Sequence, residues 1–109
     1  MVNTIWKFNV TKTCVDIYKF KSNHIVEDYD CELDCTMKGT YKYSKDTLIV
    51  TIKDDCNSED GGKAIVDRTK YFIVHNGSSL YVISTKRFEQ NKWGAEKIVY
   101  QYSDFKKVK

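Results

Sequence analysis

The chain has 109 residues, of which 41% are hydrophobic and 30% are charged. This length predicts a single domain spanning residues 1–109, and the composition is typical of a folded globular protein rather than a disordered one. The net charge of +3 comes from interspersed acidic and basic residues, so we expect neither a nucleic-acid partner nor binding to an anionic membrane surface. No apolar run approaches the ~20 residues of a membrane-spanning helix.

Alternating apolar and polar residues recur along the chain and predict strands rather than helices. Tyr, Phe, Ile, Val and Thr, which favour strands, are concentrated in these segments. In chain order the predicted strands are Thr4–Val10, Thr13–Lys21, His24–Glu32, Met37–Ser44, Thr47–Asp54, Ala64–His75, Ser79–Thr85 and Ala95–Ser103. The basic segment Phe105–Lys109 follows them and is expected to be a solvated, frayed end.

The first hairpin turns near Thr11-Lys12 and is compatible with two registers. A two-residue loop places Trp6 opposite Ile17, whereas a three-residue loop places it opposite Tyr18. Because a slip of one residue exchanges the two faces of a strand, the choice decides which side chains enter the core. The sequence leaves both registers open.

The Asn76-Gly77 pair predicts the tightest hairpin of the chain. A type I′ turn needs positive φ at both central residues, and Asn and Gly tolerate this conformation best. With these two residues at the centre of the turn, Ile73 faces Leu80 and Tyr71 faces Val82.

The four cysteines lie in mirror positions about two predicted turns. Cys14 and Cys31 are equidistant from the Ser22–Asn23 midpoint, and Cys35 and Cys56 are equidistant from the Lys45–Asp46 midpoint. Residues that face each other across an antiparallel pair have Cα atoms about 4.5–5.5 Å apart, a separation that a disulfide can bridge. The spacing therefore favours the disulfides 14–31 and 35–56.

A zinc site is the alternative role for these cysteines. Zinc ligands usually come in pairs two to four residues apart, and here only Cys31 and Cys35 approach that spacing. Disulfides imply an oxidising compartment, so we expect a secreted, periplasmic or cell-surface protein. In that case a targeting segment precedes Met1, and a lipid anchor upstream of the chain remains open.

Eight short strands joined by tight turns predict an all-β, up-and-down antiparallel barrel. Closing such a sheet removes the open edges that promote aggregation. A barrel of eight strands is just wide enough to be filled by side chains or to hold one small ligand.

Four segments resemble the small lipocalin-like domains of the calycin superfamily found on envelope and secreted proteins of Bacteroidetes. The segments are Ile5-Trp6-Lys7-Phe8, Ile17-Tyr18-Lys19-Phe20-Lys21-Ser22-Asn23, Gly39-Thr40-Tyr41-Lys42-Tyr43 and Asp46-Thr47-Leu48-Ile49-Val50-Thr51. The resemblance implies an eight-stranded barrel and an exported location. The chain departs from the lipocalin Gly-x-Trp motif at Thr4, and Lys97 is the nearest candidate for the basic residue that closes such barrels against the tryptophan.

Aromatic residues supply the candidate ligand site. We expect a non-enzymatic binding module that holds a small hydrophobic ligand at the barrel mouth, with contacts from Trp6, Tyr18, Tyr43, Tyr71 and Trp93. The first four of these side chains, together with Phe20, Tyr41, Ile73, Tyr100 and Tyr102, can instead fill the barrel, and the small size of the domain favours a filled core.

A protein-interaction module is the alternative function. Some secreted protease inhibitors use such a barrel, and Phe88 and Trp93, in the long loop before the last strand, are the expected partner contacts. No catalytic, cofactor or metal site is predicted. His24 and His75 lie beside turns, and a calcium site at Asp54-Asp55 with Asp60 lacks regularly spaced oxygen ligands. The remaining carboxylates are expected on a solvated strand face: Glu27, Asp28, Asp30, Glu32 and Asp34.

Overall fold

The computed structural model describes residues 1–54, 56, 67–99 and 104–109, and its regular structure is entirely β. Ten strands are formed: β1 (Thr4–Asn9), β2 (Val15–Phe20), β3 (Ile25–Asp30), β4 (Cys35–Ser44), β5 (Thr47–Asp54), β6 (Asp67–Asn76), β7 (Ser79–Glu89), β8 (Lys92–Trp93), β9 (Lys97–Ile98) and β10 (Asp104–Lys107). Within these described ranges no helix has the length and apolar character needed to cross a membrane.

Strands β1–β7 and β10 close into an eight-stranded antiparallel barrel. Each strand from β1 to β7 pairs with the next, and β10 pairs with both β7 and β1 to complete the ring. The short strands β8 and β9 pair with the second half of β7. The all-β barrel predicted from the strand pattern is therefore confirmed.

The closing strand differs from the predicted one. The sequence placed it at Ala95–Ser103, but the strand that pairs with both β7 and β1 is β10, which begins at Asp104. Within the predicted range the described residues form β9, which pairs with β7 alone, and residues 100–103 lie outside the described part of the chain. Phe105 is only 5% exposed, so the prediction of a frayed end at Phe105–Lys109 was wrong. Its aromatic ring joins the core while the neighbouring backbone pairs with two strands, and both interactions hold the C-terminal segment in place.

The first hairpin adopts the register that places Trp6 opposite Tyr18. The connecting loop spans residues 10–14, where the amide of Val10 donates to the carbonyl of Cys14. Trp6 and Tyr18 are both buried, so burial of two large aromatic rings distinguishes this register from the one with Ile17.

The hairpin between β6 and β7 turns later than predicted. Asn76 pairs with Ser79, so Gly77 and Ser78 form the turn and Ile73 faces Val82 instead of Leu80. Gly77 has φ of 59°, and a positive φ at the first central residue is what a type II′ hairpin requires. The shift of two residues keeps Ile73 and Leu80 facing inward, and both are fully buried.

Both disulfides form as the mirror positions predicted, with Cα–Cα distances of 5.5 Å for Cys14–Cys31 and 6.1 Å for Cys35–Cys56. All four cysteines are thereby paired, which excludes the zinc alternative. The β2–β3 register is offset by one residue from the prediction, since Ile17 faces Tyr29, and the first disulfide is therefore diagonal. Disulfides of this kind are typical of proteins outside the cytosol.

Strands β4 and β5 approach closely at Gly39, which faces Ile52. A Cβ atom on Gly39 would overlap the carbonyl oxygen of Thr51 and lie 2.9 Å from the Cα atom of Ile52. Glycine at this position therefore permits the local approach of the two strands.

Candidate functional site

The two ends of the barrel differ in their connections. Loops 10–14 and 31–34, with the two disulfides, lie at what we call the disulfide end. Turns 21–24, 45–46 and 77–78 lie at the opposite end, together with the first residue of β1 and the last residue of β10, and we call this the terminal end. The barrel strands run between these two ends, so the position of a residue along its strand decides which end its side chain is near.

Large apolar side chains fill the barrel through its middle and at the terminal end. The buried hydrophobic residues are Trp6, Tyr18, Phe20, Val26, Met37, Tyr41, Leu48, Val50, Ile52, Ile73, Leu80, Val82 and Phe105. They form one continuous cluster, as expected for a barrel of this diameter. The filled core that the sequence favoured is present in this part of the barrel.

A cavity of about 240 Å³ remains at the disulfide end, and we call it the mouth cavity. Its lining comes from β2, β3, β4, β6, β7 and β10 and from Val99, and consists of Asp16, Tyr18, Asp28, Asp30, Met37, Tyr71, Val82, Thr85, Val99 and Phe105. Six apolar or aromatic side chains thus line the cavity together with Thr85, and three carboxyl groups from β2 and β3 lie on one side. This volume is smaller than the roughly 300–1,000 Å³ of sites for drug-sized ligands, so any occupant is small.

Two further depressions lie beside β2 on the outside of the barrel. One of about 230 Å³ is bordered by Ile17, Glu27 and Tyr29 on the outer face of β2 and β3. The other, of about 440 Å³, is an open groove between the chain termini and β2, and Lys19 and Lys21 border it. Both lie on the outside of the barrel wall, whereas the mouth cavity is bordered by buried core side chains such as Tyr18, Met37 and Phe105, and this makes it the better candidate for a ligand site.

Asp28 is the most unusual group in the mouth cavity. It is only 8% exposed, and no residue of the described chain donates a hydrogen bond to its carboxylate. Burial, reinforced by the negative charges of Asp16 and Asp30, raises the pKa of Asp28 to about 7. A buried carboxyl group with a shifted pKa inside a cleft is a recognised indicator of a functional site.

The other two carboxylates have backbone donors. Asp16 accepts a hydrogen bond of 3.0 Å from the amide of Cys31, and Asp30 accepts one of 2.9 Å from the amide of Glu32. Burial raises the pKa of Asp16 as well, although the hydrogen bond from Cys31 acts in the opposite direction. The loop at the disulfide end thus fixes two acids, whereas Asp28 remains available.

Tyr18 and Tyr71 add phenol groups to the mouth cavity. Tyr18 is 3% exposed, and its burial, together with the negative charge of Asp28, raises its pKa far above the usual value. Its ring lies 4.6 Å from that of Phe105, measured between centroids. The phenol of Tyr18 therefore stays neutral and offers a π-face and a hydroxyl group.

Two of the five predicted ligand contacts, Tyr18 and Tyr71, line the mouth cavity. Trp6 and Tyr43 lie at the terminal end, where His75 lies between them. The ring of Trp6 meets the edge of the His75 ring at 5.4 Å, and the hydroxyl of Tyr43 lies 3.2 Å from His75 Nδ1. These two aromatic residues therefore stabilise the closed end of the barrel rather than the mouth.

Thr4 and the closing strand explain how this chain departs from the lipocalin motif. The indole Nε1–H of Trp6 donates a hydrogen bond of 2.9 Å to Thr4 Oγ1, which satisfies the indole of a buried ring. Lys107, and not Lys97, lies opposite Trp6 on the closing strand. Lys97 lies on β9 and pairs with Thr85 of β7.

Trp93 lies on the outer surface of the barrel. Phe88 and Trp93 face each other in the β7–β8 hairpin, with ring centroids 5.3 Å apart, so the prediction that they lie in a loop was wrong. The Arg68 guanidinium lies 4.3 Å from the Phe88 ring centroid, and Lys70 Nζ lies 4.2 Å from the Trp93 centroid. We call these four residues the outer aromatic patch.

Asp28 is the site residue that the sequence analysis missed. It was assigned to a solvated strand face, and this was wrong because Asp28 shares the inward face of β3 with Val26. The signal was present in the alternation of Val26, Asp28 and Asp30, which continues one face of the strand. The sequence analysis placed Asp28 on the solvent-facing side of the sheet because its side chain is charged.

The remaining positions considered in the sequence analysis are two histidines, the weighed calcium site and two tyrosines. His24 and His75 are exposed beside turns, as expected. Asp55 and Asp60 of the weighed calcium site, and Tyr100 and Tyr102 of the aromatic set, lie outside the described residues. Among the residues that are described, no group of three His, Cys, Asp or Glu side chains is arranged to hold a metal ion.

Comparison with known proteins returned no matching family model, no matching curated protein and no matching solved structure. Inferences about this chain therefore rest on its own residues.

Proposed function

We propose that this protein is a binding module, outside the cytosol, that holds one small ligand in the mouth cavity of a lipocalin-like barrel. The observation that carries the proposal is the open-mouthed space of about 240 Å³ that the described residues leave at the disulfide end, next to the packed core. Tyr18, Met37 and Phe105 offer it an apolar wall. Burial of apolar ligand surface against such a wall contributes about 25 cal/mol per Å² before the costs of association.

The disulfides suit this function because they restrain the rim of the mouth. Cys14–Cys31 joins β2 to β3 beside Asp16 and Asp30, and a pre-formed rim lowers the entropy lost when a ligand binds. The proposed location outside the cytosol follows from the same cross-links.

A steric block tests the proposal. Thr85 lies at the mouth, so Thr85→Trp fills the space that a ligand needs. Thr40→Trp is the matched control, since Thr40 is exposed on β4. We expect small aromatic fragments to shift the NMR amide signals of the mouth residues in wild type and in Thr40→Trp, but not in Thr85→Trp.

The proposal fails if no fragment perturbs the mouth residues of the wild-type protein. It also fails if fragments bind Thr85→Trp as tightly as they bind wild type, because the occupied site would then lie elsewhere. Native mass spectrometry of the protein purified from its source would identify a co-purified ligand of matching size.

A protein-interaction module is the second candidate, and the outer aromatic patch favours it. Aromatic rings combined with Arg are enriched at protein interfaces. Trp93→Ala should release a partner that wild type and Ile98→Ala retain, since Ile98 is exposed outside the patch. Equal retention by all three proteins would contradict this candidate.

A further inference from the structure

Asp28 gives the mouth cavity a chemical preference that its apolar walls do not explain. A carboxylate that is largely buried without a hydrogen-bond donor is costly, because it loses much of its hydration and gains no hydrogen bond in return. Asp28 is only 8% exposed, and it lines the cavity. The cost falls when a ligand supplies a positive charge and a donor.

We propose that the ligand of the mouth cavity is a small organic ammonium ion, whose charged nitrogen binds Asp28 and whose apolar body packs against Tyr18 and Phe105. This inference rests on the proposed function, since it names the ligand class of the same site. The proposed function requires only that the cavity has space for a ligand, whereas this inference also requires the ligand to be positively charged.

The surroundings of Asp28 favour a cation over a neutral or anionic ligand. Its own strand contributes Asp30, β2 contributes Asp16 and Tyr18, and β6 contributes Tyr71; these are the charged and titratable groups facing it among the described residues. None of them is cationic. The three carboxyl groups therefore create a negative potential, and the described residues that face Asp28 supply no cation to offset it.

Aromatic groups reinforce this preference. The faces of tyrosine and phenylalanine rings carry negative partial charge and attract ammonium groups. The rings of Tyr18 and Phe105 both border the cavity, tilted by 31° relative to one another with centroids 4.6 Å apart. An ammonium nitrogen at Asp28 can thus form a charge-assisted hydrogen bond while the attached carbon atoms contact these rings.

An organic cation suits the site better than a metal ion. The described residues offer no cluster of three His, Cys, Asp or Glu ligands arranged for a metal. Asp16 and Asp30 are also engaged with backbone amides. One free carboxylate within an apolar wall matches an ammonium group on a hydrophobic body.

Phenethylamine and phenethyl alcohol are a matched pair of probes, because they have nearly the same shape and differ in charge. We expect calorimetry at about pH 8 to show that wild type binds the amine at least tenfold more tightly than the alcohol. Asp28→Asn should remove this preference by weakening the amine alone. Asp46→Asn, an exposed turn variant with the same change in net charge, should retain it.

The pH dependence gives a second readout. Asp28 must be ionised to bind the ammonium group, so amine affinity should fall between about pH 8 and pH 5.5. Alcohol affinity should stay constant over this range. Thermal unfolding of each variant verifies that Asp28→Asn is folded in both assays.

The outcomes separate the two proposals. Equal binding of amine and alcohol at the mouth would overturn the inference about charge while leaving the binding module intact. Binding of neither probe would overturn the inference, and failure of all fragments to reach the mouth would overturn the binding module too. Calcium binding that depends on Asp28, without amine binding, would assign the site to an inorganic cation and also overturn the inference.

Discussion

At the residue scale, two positions impose the strongest local constraints on the barrel. Gly39 permits a close approach of two strands, and Asp28 places an uncompensated acid within the barrel. The first position concerns steric fit and the second concerns electrostatics. Each is therefore testable by a substitution that changes one of these properties alone.

Gly39→Ala should destabilise the barrel by about 3 kcal/mol or more, because the new methyl group overlaps the backbone oxygen of Thr51 and only a shift of the strand can relieve it. Gly94→Ala is the control, since its Cβ would lie 3.5 Å from the carbonyl oxygen of Arg87, an ordinary contact. Urea denaturation measures both changes. Equal stability of the two variants would contradict the close approach.

Asp28 should make the protein less stable as the pH rises from about 4 to 7. Its pKa is about 7 in the folded protein and 3.8 when unperturbed, so between these values the folded state keeps a proton that the unfolded chain releases. At ~1.4 kcal/mol per pKa unit the loss is at most about 4 kcal/mol.

Asp28→Asn removes this titration, so its free energy of unfolding should change less than that of wild type over the same pH range. Asp46→Asn should follow the wild-type curve. Urea titrations across the range measure the difference. Parallel curves for wild type and Asp28→Asn would show that Asp28 is not buried.

At the element scale, the C-terminal strand β10 decides whether the barrel is closed. It pairs with β7 on one side and with β1 on the other, and Phe105 anchors it in the core. The sequence analysis missed this strand because the lysines that follow Phe105 resemble a solvated end. A single buried aromatic residue outweighed the local charge.

Phe105→Ala should therefore lower the free energy of unfolding by about 3–5 kcal/mol, as for other buried phenylalanines. Lys107→Ala, at an exposed position of the same strand, should have little effect. Thermal or urea unfolding provides the comparison. A cost below about 1 kcal/mol for Phe105→Ala would mean that the strand is not docked.

At the scale of the whole molecule, strand alternation predicted the barrel, and the cysteine spacing predicted both disulfides. These features depend on periodicity and on symmetric positions, which are visible in a sequence. The hairpin registers were less predictable, because a positive φ at Gly77 or at His24 shifts a turn without changing the pattern around it. The mouth cavity was not predictable in its chemistry, since it forms where separate strands converge.

The candidate site, like the fold, was only partly predictable from the sequence. Tyr18 and Tyr71, two of the predicted ligand contacts, line the mouth cavity, whereas Trp6 and Tyr43 belong to the opposite end of the barrel. Trp93 belongs to the outer surface. Which end a residue occupies depends on the direction of its strand and on the residue's position along that strand, and the five predicted contacts were chosen by residue type instead.

The titration of the Asp28 carboxyl carbon by NMR, in free protein and in protein saturated with phenethylamine, tests the central claim most directly. We expect a midpoint near pH 7 in the free protein. The bound amine should move this midpoint to lower pH, because a cation stabilises the carboxylate. A midpoint near that of an ordinary aspartate, unchanged by the amine, would contradict both the burial of Asp28 and its role in the mouth cavity.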